Sequence, residues 1–582
     1  MYDRTMRGVG LSGIAVLFVV GSCLPEAPPP QGEALIVVDT DAPAPVFVGR
    51  MRLDVYASDG TWIESRDTPA HTNDDWPLSF SVFTPEGTGV HDALLRIRLY
   101  PEGETRIYHG ERFTSHAPLD PTEDPAAPAI PPEPDCGDAG VQSCELPRLV
   151  KNGIDLTPAE EPDPYRAIDR LVQVHLRGGV RGRVRVTLPG TCLGVMADIA
   201  NRQTCVNEAG ILANIPDSPL EADMSIPGPV AKSFGAPIPC PKTATPRPGS
   251  SPNGRKLFDE EVCVPGAGFL QGNVGGGSIS DTAQTGFPVR VTTLPPFYMD
   301  KYKVTVARWR DAISRGFAVP GAGFLINDTP LGRDTCNPAK PSSPLWCTYT
   351  NGAGSPEDRE DYPLNCVSWY AARTFCQFAG GDLPSEAQWE YVVRAAERQY
   401  RSAFPWGDDI PNCMPWVATD RAVERRLGEC SANSWQSGYC LYTDYHGVLA
   451  PVVASHPMCG LGSSRSNMGF FQGCGGPPTP NSRQGPQPVD AVDTPTGDRS
   501  YSLGVVGLAG SVSEFMRDAY LPMNSQWWAA ATMASPICDV KNLSHTVRGG
   551  AWSSSADVVS RSAPAKDAPT PQVGFRCVRP LQ

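Results

Sequence analysis

The sequence predicts a multidomain chain: an N-terminal all-β sandwich followed by a C-terminal domain that adds helices. Three observations carry this. Between residues 33 and 225 apolar side chains recur with a period of two, the mark of strands that bury one face. Residues 226–261 are rich in Pro, Gly and Ser and read as a linker. Beyond residue 262 helix signals enter, the clearest being Ser385-Glu386-Ala387-Gln388, an S-x-x-Q capping box.

The strands are justified in order. Leu95, Ile97 and Leu99 alternate with Arg96 and Arg98; Val172, Val174 and Leu176 alternate with Gln173 and His175; Val184 and Val186 alternate with Arg183 and Arg185. Gly178-Gly179, between the last two runs, predicts a hairpin-like turn. Residues 117–165, with the run PTEDPAAPAIPPEPD, form a Pro-rich insertion rather than core. The resulting sandwich is of a generic immunoglobulin-like or transthyretin-like kind, and nothing in it points to catalysis. Cys136/Cys144 and Cys192/Cys205 are close enough in sequence for local disulfides.

In the C-terminal part a helix is expected from about Trp369 to Phe378, stopped by Gly380-Gly381. The helix that starts at the capping box places Trp389, Val392, Val393 and Ala396 on one face, at i, i+3, i+4 and i+7.

The formal net charge of −14 over 582 residues argues against nucleic-acid binding, which needs clustered Lys and Arg. Eighteen Cys point to an oxidising, exported setting. The N-terminus agrees. Arg4 and Arg7 precede an apolar run, Leu11–Val20, that is too short to span a bilayer and suits a signal-peptide core. It ends in Val20-Gly21-Ser22-Cys23, which resembles a bacterial lipobox. Residues 1–22 are then a signal peptide, Cys23 the lipidated terminus and 23–32 a Pro-rich tether. The expected location is an outer membrane, or the periplasmic face of a bacterial membrane.

Residues 262–582 carry seven motifs in sequence: PGAGFLQGN (Pro265–Asn273), PFYMDKYKVT (Pro296–Thr305), VSWYAARTFCQFAGGDLPSEAQWEYVVRAA (Val367–Ala396), FPWGDD (Phe404–Asp409), GVVGLAGSVSEF (Gly504–Phe515), RGGAW (Arg548–Trp552) and GFRC (Gly574–Cys577). Together they resemble the formylglycine-generating, or sulfatase-modifying factor, family over a little more than half the chain. The resemblance implies an α+β, C-type-lectin-like fold and a disulfide between Cys376 and Cys577. That family oxidises a substrate cysteine to formylglycine with oxygen and with copper held by two thiolates.

Here the positions of those thiolates are Ser554 and Val559, the family's active-site Ser is Ala551, and its Asn before the GFR motif is Gln572. No Cys lies between Cys538 and Cys577, so no shift of register restores the pair. Copper(I) prefers sulfur, and copper is therefore not expected. Iron is not expected either, because the eight His are dispersed without metal-ligand spacing.

Calcium is left open: the family binds it in part around a G-N-x-W-E-W motif. That motif reads Gly510–Phe515 here, with Ser511 for the Asn and Gly507 at a family acidic or amide position. Glu514 and Asp518 are expected to be structural. A further family disulfide is absent at both ends, at Val393 and around Ala563-Pro564.

An insertion at 411–500 contains five Cys and many aromatics. Trp416, Trp435, Tyr439 and Tyr442, with Trp552, make a candidate ligand surface. Without Cys23 the Cys count is odd, and Cys366 is expected to be a buried free thiol. The functional expectation is a membrane-anchored lipoprotein whose C-terminal domain is a non-catalytic binding or scaffold module, without a cofactor, for a protein or glycan at the cell surface. The alternatives are a formylglycine-generating oxidoreductase and a glycan-binding, lectin-like module.

Overall fold

In a computed structural model the chain divides into two units, Met1–Pro118 with Pro132–Ala236, and Leu119–Pro131 with Pro237–Gln582. The structure describes residues 6–9, 31–84, 90–108, 110, 124–127, 147–206, 212–240, 256–272, 289–321, 323–329, 331, 344–352, 358–398, 401–402, 405, 441–442, 452–453, 486–491, 493, 498–541, 543–551, 561–562 and 568–581. These are mostly strand and loop, with few helices.

The main strands of the first unit are Met6–Val9 (β1), Glu33–Thr40 (β2), Arg50–Ala57 (β3), Trp62–Pro69 (β4), Leu78–Phe83 (β5), Val90–Tyr100 (β6), Ile168–Arg177 (β7) and Arg181–Leu188 (β8). They form two four-stranded sheets, ordered β1-β5-β2-β8 and β7-β6-β3-β4. Edge strand β1 lies within the stretch read as a signal peptide, so cleavage before Cys23 would remove it.

Two expectations are corrected here. Gly178-Gly179 does not close a hairpin. Val180 N donates to Arg177 O at 3.1 Å with Gly179 at φ 74°. The turn passes the chain from β7, paired with β6, to β8, which runs parallel to β2. Arg96 and Arg98 do not face solvent opposite the apolar Leu95, Ile97 and Leu99; both are 6% exposed. Arg96 Nη2 meets Asp169 Oδ2 at 2.5 Å and Arg98 Nη2 meets Asp54 Oδ2 at 2.6 Å. The polar face of the sheet is thus covered, and its charges are paired across strands, as buried ions must be.

The second unit holds Glu261–Val264 (β9), Ala267–Gln271 (β10), Arg290–Leu294 (β11), Phe297–Asp300 (β12), Val306–Ser314 (α1), Trp369–Phe378 (α2), Glu386–Arg394 (α3), Ser513–Ala519 (β13), Gln526–Ala530 (α4), His545–Arg548 (β14), Val573–Gly574 (β15) and Val578–Pro580 (β16). Its sheets are β9-β12-β16, β10-β11 and β14-β13-β15.

Each long helix begins on a side-chain cap, as the orphan N–H groups of a first turn require. Thr305 accepts from Arg308 N and Ser368 from Ala371 N. Ser385 accepts from Gln388 N at 3.1 Å, while Gln388 Oε1 accepts from Ser385 N at 2.9 Å. The face of α3 is buried: Trp389, Val392, Val393 and Ala396 join Phe269, Met299, Leu508 and Met516 in one core.

The linker is shorter than residues 226–261. Lys232 Nζ holds Asp39 Oδ1 at 2.7 Å in the first unit. In the second, Ile238 pairs with Gly266 and Cys240 is bonded to Cys263. Other disulfides join Cys192 to Cys205, Cys347 to Cys366 and Cys376 to Cys577. Cys366 is therefore no free thiol. The loop before it folds back through Asn365, whose Oδ1 accepts from Thr348 N at 2.8 Å, and this brings Cys347 alongside. Among the described residues the free, buried thiol is Cys538.

Candidate functional site

The diagnostic motifs converge where α3, β13, β14 and the GFRC segment meet, and their charged residues neutralise one another. Arg548 pairs with Glu390 at 2.5 Å. Arg576 grips Glu514 with Nε at 2.6 Å and Nη2 at 2.8 Å, while Trp389 Nε1 donates to Glu514 at 3.3 Å. All of these side chains are essentially buried. Gly549, at φ 93°, follows Arg548 because a Cβ there would stand 2.7 Å from Leu508 O and 3.0 Å from the Trp389 ring. Gly574 is required by Leu364 O, 2.7 Å from its would-be Cβ. The described residues of the two glycine-bearing motifs thus build packing and ion pairs.

Beside Glu514 the ammonium of Lys303 sits in a ring of oxygens. It donates to Gly507 O and to Gly510 O, the latter at 3.0 Å, and stands 3.5 Å from Glu514 Oε1. Burial pushes the Lys303 pKa below its ordinary value, against the pull of Glu514 and Asp498. Asp498 is itself buried, accepts from Ala509 N at 2.7 Å, and keeps Oδ1 without a partner among the described residues. Calcium takes six to eight oxygens, and here Lys303 and Arg576 together already hold those of Gly507, Gly510 and Glu514. The residues present do not fit calcium at this place.

A second buried charge set lies at the start of α3. Arg561 clamps Glu386 with Nε at 2.5 Å and Nη2 at 2.6 Å, and Thr546 Oγ1 adds a donor at 2.8 Å. Burial would raise Glu386, but Arg561 holds it below its ordinary value. Asp518 accepts from Glu386 N and Cys538 N. Burial, and then the nearby Glu386 carboxylate, push Asp518 up to about 7.

Cys538 lines a cavity of about 390 Å³ with Arg373, Arg517, Lys541 and His545. One wall is a stack: His545 lies on Trp369 with ring centroids 3.4 Å apart, and Arg373 lies 5.2 Å from the Trp369 ring. Burial raises the Cys538 thiol to about 12, so it is no ready nucleophile.

Of the residues singled out in sequence, Ala551 is buried at 2% exposure and Gln572 is half-buried, its carbonyl accepting from Ser513 N at 2.8 Å. Cys23, Cys136, Cys144, Trp416, Trp435, Tyr439, Trp552, Ser554 and Val559 lie outside the described residues. Tyr442 is in a two-residue strand, Leu441–Tyr442, whose side chains are likewise outside. Sequence reasoning missed the roles of Lys303, Asp498, Glu386 and Arg561, and named Asp518 only as structural. Lys303 and Glu386 carried a signal, as parts of PFYMDKYKVT and of the Val367–Ala396 motif.

The sequence model of the sulfatase-modifying factor enzyme 1-like domain matches residues 247–581, more than half the chain. A formylglycine-generating enzyme of Thermomonospora curvata is 27% identical over 205 residues, 31% of this chain and 66% of that one. The inactive C-alpha-formylglycine-generating enzyme 2 of Bos taurus is 28% identical over 168 residues, 26% of this chain and 54% of that one. The chain spans about half to two thirds of the length of these curated relatives. Among solved structures, PvdO from Pseudomonas aeruginosa matches 55% of this chain and 94% of its own, at 17% identity and a TM-score of 0.31.

Proposed function

The chain belongs to the sulfatase-modifying factor enzyme 1-like family, and from that premise we propose that it is a non-catalytic binding or scaffold module on a membrane-anchored lipoprotein. The observation that carries this reading is the stretch between RGGAW and GFRC. It contains no Cys, with Ser554 and Val559 at the thiolate positions. Formylglycine formation by the family route needs a soft sulfur pair for copper(I), and a hydroxyl and an isopropyl group cannot replace it. Relatives at the same level of identity bear both active and inactive names, so the family alone does not decide.

The first unit is a β-sandwich spacer, the second has the family's C-type-lectin-like fold, and Cys23 carries the lipid. A binding role is supported by the cavity beside Trp369 and His545, where Lys541 is placed to meet an acidic group on a protein or glycan, while Asp382 holds Arg373 and Arg517 and Asp539 adds a carboxylate to the lining. The decisive assay is aldehyde formation on a Cys-containing sulfatase peptide with copper and oxygen. Its absence upholds the reading; formation above background replaces it with an oxidoreductase. Mass spectrometry of the mature terminus tests the anchor, and an acyl-free terminus away from Cys23 refutes it.

A further inference from the structure

We propose that the Lys303 ammonium is a resident, tethered cation occupying the oxygen ring of the Gly507–Glu514 segment, and that the second unit folds without calcium. The donor count supports it. An ammonium has three N–H donors and no acceptor. Among the described residues three oxygens surround Nζ, the carbonyls of Gly507 and Gly510 and Glu514 Oε1, and the Arg576 guanidinium shares those of Gly507 and Glu514. Lys303 is 3% exposed, so no solvent competes for them.

Carbonyls aimed at one point need a cation or a donor there, because buried acceptors left unmade are costly. Glu514 supplies negative charge in the same pocket; burial pushes the nearby Asp498 up toward its neutral form, and its Oδ1, without a partner among the described residues, is a further oxygen of the kind a hard cation takes. At φ 68° Gly507 avoids strain, and a Cβ there would sit in ordinary contact with Nζ, at 3.4 Å. The Gly that replaces the family's acidic or amide residue and the Lys that fills the ring are thus two halves of one exchange. A mobile divalent ion has given way to a fixed monovalent one.

The test uses the full chain and the variant Lys303→Met, which keeps the apolar stem and removes the charge. The wild type should melt at the same temperature in millimolar calcium chloride and in EDTA, and should give no terbium luminescence from this site. Lys303→Met in EDTA should melt roughly 5–10 °C lower, as expected when one member of a buried charge set is lost. Calcium should restore at least half of that loss, because it binds the folded state only.

A wild type whose melting temperature falls in EDTA would overturn the proposal. So would a Lys303→Met protein whose melting temperature and soluble yield both ignore calcium. The soluble yield keeps the test decisive if the variant folds poorly.

Discussion

Arg576 and Glu514 form a two-pronged ion pair, with Nε at 2.6 Å and Nη2 at 2.8 Å, and neither side chain is more than 1% exposed. The Arg of GFRC thereby locks the last segment of the chain to strand β13. Its Nη1 also donates to the carbonyls of Asp300 and Lys301. Arg576→Met should cost about 3–5 kcal/mol, because it leaves Glu514 charged, buried and short of its main partner. The double variant Arg576→Met/Glu514→Gln should lose less than the sum of the two single changes. Urea unfolding of the four proteins measures this, and strict additivity would contradict the pairing.

Asp518 gives the second unit a pH dependence of defined sign. Its folded pKa is raised from 3.8 to about 7 by burial and by Glu386, so the folded state binds more protons between those values. The stability Asp518 contributes is fully present below its unfolded pKa and is lost as pH rises through about 7. Asp518→Asn removes this titration. The melting temperature of the wild type, measured relative to the variant, should therefore fall as pH rises from mildly acidic to mildly alkaline. A constant difference would contradict the assignment.

Cys538 should be chemically silent in the folded protein. With its thiol pushed up to about 12 by burial, only about one molecule in ten thousand is thiolate at pH 8. Iodoacetamide labelling followed by peptide mapping should modify the Cys538 peptide only after unfolding. Native labelling at the rate of an exposed thiol would show the cavity to be open to its sulfur.

What was legible in the sequence was what sequence neighbours decide. The Ser385/Gln388 capping box, the stop of α2 at Gly380 and the buried face of α3 are set within a few residues, and the structure has each of them. What was not legible depended on distant partners. Arg96 and Arg98 look solvated until β7 and β3 bring Asp169 and Asp54 alongside. Gly178-Gly179 announces a turn but not the sheet into which it delivers β8. Cys366 looks unpaired until its loop returns to Cys347. The role of Lys303 needs backbone carbonyls more than two hundred residues later. The family frame could be read because its glycines and arginines recur as motifs, whereas the partners of those arginines could not.

The central claim is that the frame built by Arg548, Arg576 and their glycines no longer serves copper-thiolate oxidation. The direct measurement is mass-spectrometric detection of aldehyde in a Cys-containing sulfatase peptide incubated with the full chain, copper and oxygen. Three reactions should be compared: the wild type, the variant Ser554→Cys/Val559→Cys, and a peptide-only control. The wild type should match the control, whatever the double variant does. Catalytic aldehyde formation by the wild type, exceeding the control with repeated turnover, would contradict the account.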